Sequence, residues 1–361
     1  MILGSRALFG FSRIRGRTYQ AMLEPPFDIS QLVPDYGDPQ AEALTCRREC
    51  ALFDFSFVSR ASVTGSGALA SIARLTRRPL DHLGSGEIAY ALRENDDGIL
   101  ISDLTIWKHD RLRYEVMSGR RQDIADLAEY GHRDADVADL ADDTAVFALQ
   151  GPAALSALDQ LADTNKLAEL GYFMHCQAEV AGVDCIVGRL GYTGEAGFEF
   201  LLRRNQAEAV WQILAERARP AGFAAADILR IEAGFILFSN EFLLPVCASE
   251  AGHAQFANPA PVRKTPEFAL VGFRARTSQM PVLWQRDKTP GRADVGPGTL
   301  IVTSACHSPL AGGTLGLGFA RASDIDAARP LVDPHGVFKE IEIVPRPFYD
   351  SGKKRPRADW K

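Results

Sequence analysis

The chain has 361 residues, 46% of them hydrophobic and 24% charged, and 40 Lys and Arg against 46 Asp and Glu give a formal net charge of −6. That length suits two to three domains with a sizeable packed core, and it excludes disorder for most of the chain. The acidic balance argues against a nucleic-acid partner, although it leaves room for one basic pocket around a small anion.

From the N-terminus, Arg6, Arg13, Arg15 and Arg17 are interspersed with Ser5, Ser12 and Thr18, and the first acid is Glu24. Such a segment reads either as an organellar transit peptide or as a basic tail. The expected location is therefore the cytoplasm, with the mitochondrial matrix as the alternative. A Pro- and Gly-rich loop (24–40) leads to a helix over 40–51 and an aromatic run, Phe53 to Phe57. Arg60 to Thr64 predicts a strand that turns at Gly65-Ser66-Gly67 into a helix carrying Leu69, Ile72 and Leu75. Strands follow at 88–92 and 99–107 around Asn95-Asp96-Asp97-Gly98, a hairpin turn. Another strand covers 112–116, and Ile124, Leu127 and Tyr130 repeat at helical spacing. The pattern then recurs: a strand at 144–149, a helix opened by Gly151-Pro152 with Leu155, Leu158 and Leu161, and a hairpin at Ala181-Gly182. A strand through Phe198, Phe200 and Leu202 leads into a helix with an Asn205/Glu208 capping box, and a further helix spans 224–233. Beyond Asn240 the periodicity fades, and 243–265 reads as a linker. Short β runs at 268–273, 299–303, 314–320 and 338–344 suggest a small barrel or sandwich. The tail with Lys353, Lys354, Arg355 and Arg357 reads as exposed.

Several chemistries lack support. No run reaches the ~18 apolar residues of a membrane span, because Asp227, Arg230 and Glu232 interrupt the most apolar stretch, Phe223 to Phe238. The six cysteines form no CxxC pair and the seven histidines never fall at ligand spacing, so no metal is expected; the thiols read as packing in a reducing compartment. Gly65-Ser66-Gly67 with Ala70 matches a dinucleotide fingerprint on paper, yet hairpin-linked neighbours favour a tight turn in an antiparallel sheet. Cys306 and His307 are adjacent on a strand and point to opposite faces. The stretch Arg189 to Phe200 is a glycine-rich turn feeding a strand, with Phe198 and Phe200 on one face and Glu199 on the other. On alternation alone Glu199 reads as exposed.

That stretch, Gly191-Tyr192-Thr193-Gly194-Glu195-Ala196-Gly197-Phe198-Glu199, resembles the GYTGEDGFE signature of the glycine cleavage T-protein (aminomethyltransferase) family. Further matches follow in the family's order. Cys50 to Ser56 resembles AGLFDVS, Gly98 to Ile106 resembles GGILDDLIV, and Leu149-Gln150-Gly151-Pro152 matches LQGP. Ile228 to Gly234 resembles TLRLEAG, Val302-Thr303-Ser304 with Ser308-Pro309 resembles VTSG…SP, and Pro347-Phe348-Tyr349 resembles the terminal PFY. The likeness covers about residues 40–350 and reverses the exposed reading of Glu199.

The resemblance implies an α+β fold: a three-domain cloverleaf of mostly antiparallel sheets with helices, plus a small C-terminal β-barrel or jelly-roll domain, with a folate site at the centre. The expected boundaries are an N-terminal extension (1–39), a first folate-binding domain (40–60 and 141–242), a second (61–140), the linker, a C-terminal domain (266–350) and the tail (351–361). It implies tetrahydrofolate as cofactor, with Glu199 accepting two hydrogen bonds from the pterin. Tyr192, Phe173 and Tyr90 are the implied aromatic contacts, Arg230 a folate contact, and Asp103 the catalytic carboxylate beside N5. From the residues alone, Arg230 also pairs with Asp227 three positions earlier.

The chain departs from the family pattern in places. Ser102 replaces the first aspartate of the Asp pair. The asparagine expected after the next strand is missing, with Ser118 the nearest polar substitute. The N-terminal FAGWxMP segment and the EAGLxW stretch have no clear counterpart. The implied function is tetrahydrofolate-dependent transfer of an aminomethyl or methyl unit from a small donor or a lipoyl carrier protein. Two alternatives are a demethylase of a small methylated amine, thioether or aryl ether, and a non-catalytic folate-binding protein of the iron–sulfur assembly type. The latter is disfavoured because Phe235 to Glu241 lacks that branch's cysteine motif. An amine dehydrogenase subunit is a further candidate partner.

Overall fold

The computed structural model describes residues 32–257, 265–281, 283 and 291–360. The Arg-rich start, with its two targeting readings, lies outside them, as do Pro259 and Pro261.

Three sheets carry the fold. The first contains β1 (Ala51–Asp54), β7 (Thr144–Gln150), β8 (His175–Val180), β9 (Val183–Gly188), β10 (Gly197–Arg203) and β11 (Arg219–Pro220), in the order β11-β1-β7-β10-β9-β8. Only β1 with β11 is parallel. The second is threaded between β1 and β7. It contains β2 (Ser59–Thr64), β3 (Ile88–Glu94), β4 (Leu100–Lys108), β5 (Arg113–Ser118) and β6 (Asp136–Asp139), ordered β3-β4-β5-β2-β6 and antiparallel throughout. The third contains β12 (Phe268–Ala275), β13 (Ile301–Ser308), β14 (Gly313–Arg321) and β15 (Glu342–Val344), ordered β13-β14-β12-β15 and also antiparallel.

Helices cover these sheets with their apolar stripes. Helix α1 (Pro39–Arg48) starts at Asp38, whose carboxylate accepts from the N–H of Gln40 and Ala41, with Pro39 in the first turn. Helices α2 (Ala68–Ile72) and α3 (Arg121–Tyr130) bury Ile72, Ile124 and Leu127 against Val63, Ile106 and Val116 of the second sheet. Helices α4 (Thr164–Glu169) and α5 (Ala207–Ala215) bury Leu167, Val210 and Trp211 against Phe147, Phe198 and Phe200. On the opposite face of that sheet, α6 (Phe223–Glu232) joins α1 over Phe53, Val146 and Ala148. Short helices α7 (Phe238–Glu241) and α8 (Ala322–Asp326) complete the set. The β8–β9 hairpin turns through Ala181 (φ 53°) and Gly182 (φ 76°), the left-handed pair a two-residue turn requires. Among the described residues no helix is long and apolar enough to cross a membrane.

Several expectations are corrected. The C-terminal strands make an open four-stranded sheet, not a closed barrel, because β13 and β15 are its two edges and do not pair with each other. The helix expected from Pro152 to Leu161 is only a 3-10 turn, Ser156–Leu158. Backbone bonds from Ala153 to Glu49 and from Ala181 to Leu161 tie its two ends to other segments. No side chain caps α5, which grows out of a 3-10 turn at Arg204–Gln206. Part of the supposed linker is core: Leu244, Val246, Ala248 and Ala251 are buried with Leu92, Leu100 and Phe268. Lys354, Arg355 and Arg357 of the basic tail are exposed as expected and Lys353 is half-buried, but the segment is pinned to the body of the protein. Arg189 donates to the carbonyl of Ala358, and the Trp360 ring stacks on Phe198 at 5.2 Å.

One buried ionic centre joins the first and third sheets. The Arg47 guanidinium, on α1, donates to Glu232 (2.9 and 3.1 Å), Glu195 (3.0 Å) and the carbonyl oxygens of Thr193 (2.8 Å) and Leu229 (3.2 Å). It lies 3.9 Å from the centre of the Tyr349 ring. Tyr349 donates to Glu195 (2.7 Å) and Ser308 to Glu232 (2.6 Å). Removing the cation leaves two buried carboxylates with the hydroxyls of Tyr349 and Ser308, and only the more distant Arg355 guanidinium at 3.6 Å from Glu195, against their charge. Arg47→Ala is expected to lose about 3–5 kcal/mol in urea unfolding; a loss below about 1 kcal/mol would show that the centre does not hold the sheets together.

Candidate functional site

Glu199 lies on β10 between Ala148 of β7 and Gly188 of β9. Alternation sends Phe198 and Phe200 into the core under α5, and Glu199 to the other face. That face is only partly exposed. It lines a cavity of about 520 Å3 whose far side is the second sheet. The side chains of β3 and β4 that point there include Tyr90, Asp103 and Thr105, and Trp107 lies so close over Gly188 that a Cβ at that glycine would overlap the indole. Main-chain bonds lock the two sheets around it: Ile88 N–H donates to Phe173 (2.8 Å), and His175 N–H to Gly86 (2.7 Å).

The two acids differ in support. Among the described residues no side chain or backbone N–H donates to the Glu199 carboxylate. Burial alone pushes its carboxyl up to about 7 from 4.5. Asp103 is pushed up to about 6, first by burial and further by the charges of Asp123 and Glu241, against a lowering hydrogen bond from the Tyr90 hydroxyl. Burial in turn raises Tyr90 and Tyr192 well above the usual phenol value. Both acids therefore titrate near neutrality in a low-dielectric cavity, a property common to acid–base and binding sites.

Flat apolar walls complete the cavity. Phe173, held at φ 63°, packs edge-on against Tyr172 at 4.9 Å. Tyr192 lies nearly parallel to Phe235, centres 6.1 Å apart, and donates to the carbonyl of Ile236 (2.5 Å). Tyr90 meets Phe256 edge-on at 5.0 Å. A cavity of this size, mostly apolar with a few convergent polar groups, suits a small aromatic ligand.

Five of the six residues singled out from the sequence, Asp103, Glu199, Tyr192, Tyr90 and Phe173, thus line one cavity. Arg230 does not line it. It is fully buried and donates to Asp227 (2.8 Å), Glu241 (3.1 Å), the carbonyl of Phe235 (3.2 Å) and Ser304 (2.6 Å). Burial disfavours its charge, but the carboxylates of Asp227 and Glu241 more than offset that and raise it. Glu241 also accepts from the N–H of Leu237 (2.6 Å), so the pair fixes the 235–238 wall. The two departures on β4 and β5 fall together: Ser102 (2.6 Å) and Ser118 (2.7 Å) both donate to Asp123, which also pairs with Arg93 and Arg120.

Sequence reasoning missed Tyr172, Phe235, His253, Phe256, Lys353 and Arg357, all on the cavity wall. The aromatic pair at 172–173 is a signal that was available; Phe235 follows directly on the motif that ends at Gly234, and the others come from segments read as a linker or a tail. Among the described residues no cluster of His, Cys, Asp and Glu could hold a metal.

Residues 34–258 match the family model described as the GCVT N-terminal domain. The aminomethyltransferase of Saccharopolyspora erythraea is 30% identical over 340 residues, covering 87% of this chain and 90% of its own. That of Geobacillus kaustophilus is 32% identical over 335 residues, covering 85% and 89%. The crystal structure of glycine cleavage system aminomethyltransferase T from Bartonella henselae superposes with a TM-score of 0.71 at 22% identity, covering 90% of this chain and 91% of that one; it bears out the α+β fold with its mostly antiparallel sheets.

A carboxyl that ionises less readily folded than unfolded destabilises the fold at high pH and ceases to do so in acid. Glu199→Gln is therefore expected to raise stability by roughly 1–3 kcal/mol at pH 8, with the gain gone near pH 4. Urea unfolding at the two pH values measures it. An unchanged stability at pH 8 would mean that the carboxylate already has a partner.

Proposed function

The chain belongs to the glycine cleavage T-protein family, and we propose that its cavity receives the pterin of tetrahydrofolate between Glu199 and Asp103. The protein is a tetrahydrofolate-dependent aminomethyltransferase. The three sheets are read as the leaves of a cloverleaf around that pocket. The observation that carries this reading is the acid without a donor. Glu199 is half-buried among apolar walls, its charge uncompensated, on the strand that follows the glycine-rich turn. An amino group next to a ring N–H offers a carboxylate the matched pair of donors that Glu199 lacks. Tyr192, Phe173 and Tyr90 supply faces and edges for a flat heterocycle. Arg230 acts at one remove, by holding Phe235 to Phe238 in place through Glu241.

Tetrahydrofolate supplies the nucleophilic nitrogen that accepts the one-carbon unit. Asp103 handles the proton. Ionised at neutral pH yet titrating near 6, it can take the proton that this nitrogen loses and return it to the departing amine, which leaves as ammonia. The lipoyl sulfur takes the proton of the second N–H of tetrahydrofolate as the carbon–sulfur bond breaks, so that both donor bonds to the carbon are replaced by bonds to folate nitrogens. Its negative charge also stabilises positive charge that develops on the transferred carbon. Tyr90, donating to Asp103, fixes the direction of the carboxylate. The donor in this reading is an aminomethyl group on the lipoyl arm of a carrier protein, the partner the family implies.

Anaerobic incubation of the full chain with tetrahydrofolate and an aminomethylated lipoyl carrier should yield methylenetetrahydrofolate and ammonia. Product from a methylated amine, thioether or aryl ether instead, with none from the carrier, would favour a demethylase. Folate binding without any turnover would favour a carrier of folate. Saturating tetrahydrofolate is expected to raise Tm through mass action. Asp103→Asn should cut kcat by at least about 100-fold with tetrahydrofolate affinity kept within a factor of about three. It should also remove a fall in kcat below pH about 6. If the variant keeps both its rate and that acidic limb, Asp103 is not the proton carrier.

A further inference from the structure

The segment beyond Tyr349 runs past the last motif that resembles the family and then comes back to the cavity. It is anchored on the way. Asp350 accepts from the N–H of Arg355 (2.8 Å), the Arg355 guanidinium stands 3.6 Å from Glu195, and Arg189 and Phe198 hold Ala358 and Trp360. Between these anchors, Lys353 and Arg357 line the cavity. Arg357 donates to the main-chain carbonyl of Lys353 (2.5 Å), which ties the guanidinium to the backbone that carries Lys353.

Both cations sit over rings and not against acids. The Lys353 ammonium is 5.3 Å from the centre of the Phe235 ring, and the Arg357 guanidinium is 5.1 Å from that of Tyr172. Neither is in an ion pair among the described residues. Burial disfavours the Lys353 charge, and Arg346 and Arg357 repel it further, so the charge is held there at a cost. Nearby His253 adds no cation, since burial and Arg346 hold it near 4. Arg357 is exposed and Lys353 half-buried, which puts them at the mouth, whereas Glu199 and Asp103 lie on facing strands inside. Acids inside and unpaired cations at the rim describe a ligand with a proton-donating ring at one end and an anionic group at the other.

We propose that Lys353 and Arg357 form an anion-gripping lip for the carboxylates of the glutamyl tail of tetrahydrofolate. This assignment rests on the folate reading above and adds two residues to it from a segment outside the motifs that carry the resemblance. The lip contributes affinity for the tail and nothing to the pterin end.

The test compares tetrahydrofolate with tetrahydropteroate, used as its carboxamide so that it keeps the ring system and the aminobenzoyl group but carries neither glutamate nor any carboxylate, by anaerobic titration of the full chain. The double variant K353Q/R357Q should lose about tenfold or more in affinity for tetrahydrofolate and less than about twofold for tetrahydropteroate. Lys353→Arg, which keeps the charge, should restore most of the loss when combined with R357Q. Wild-type affinity for tetrahydrofolate should also fall more steeply between 50 mM and 500 mM salt than that for tetrahydropteroate; this arm needs no variant to fold. Equal losses for the two ligands, or none for either, with matching salt slopes, would overturn the lip and leave the folate site standing. Wild-type protein that binds neither compound would overturn the folate reading and the lip with it.

Discussion

The Arg47 guanidinium is the constraint on which the molecule turns. Its five N–H groups reach Glu195, Glu232 and two backbone carbonyls from segments nearly 200 residues apart, and its face lies on Tyr349. Taking three charges out of water is unfavourable unless each finds good partners, and here the geometry provides them. The position of the cavity follows from this centre. Glu195 and Thr193 belong to the turn that launches β10, so the centre sets where Glu199 emerges. Glu232 ends α6, whose Arg230 in turn grips Glu241 and the 235–238 wall. A single arginine and its neighbour system thereby tie α1, the glycine-rich turn, α6, β13 and the C-terminal strand exit into one unit.

Charges in this protein fall into two groups. Arg47, Glu195, Glu232, Arg230, Glu241 and Asp123 are buried, Arg93 is half-buried, and all are mutually satisfied. Glu199, Asp103, Lys353 and Arg357 face the cavity with weak compensation or none. The first group specifies the fold and the second is available to a ligand. The uncompensated acids make the empty protein less stable than its packing would allow, as expected where function and stability compete.

Much of this was legible in the sequence. The alternation in 88–92 and 99–107 around Asn95 to Gly98 predicted the β3–β4 hairpin, and Asp103 could be placed on it. The ordered motifs pointed to Glu199, Tyr192 and Asp103, and these face one cavity. What the local pattern could not supply was the other side of each surface. Glu199 looks exposed from β10 alone because Phe198 and Phe200 define only the inner face; the sheet that encloses it comes from about 90 residues earlier. Arg230 has the same difficulty in reverse. Its pairing with Asp227 is readable at three-residue spacing, but Glu241 and Ser304, which occupy its remaining donors, are tertiary neighbours. The tail's composition suggested solvent and most of its basic side chains are exposed, but a tryptophan stacked on Phe198 pins the end of the segment to the first sheet. Short strands separated by glycine and proline look alike whether or not their edges close, which is why the third sheet was read as a barrel.

The near-neutral titration of Glu199 makes the cavity a small proton reservoir. Because burial raises that carboxyl to about 7, the empty protein holds a proton there in part of its molecules at neutral pH. Any guest that donates hydrogen bonds to it must expel that fraction into the medium. Heats of association recorded by calorimetry would then contain the ionisation enthalpy of the buffer, and titrations in phosphate and in Tris would disagree in proportion to the fraction of protons released.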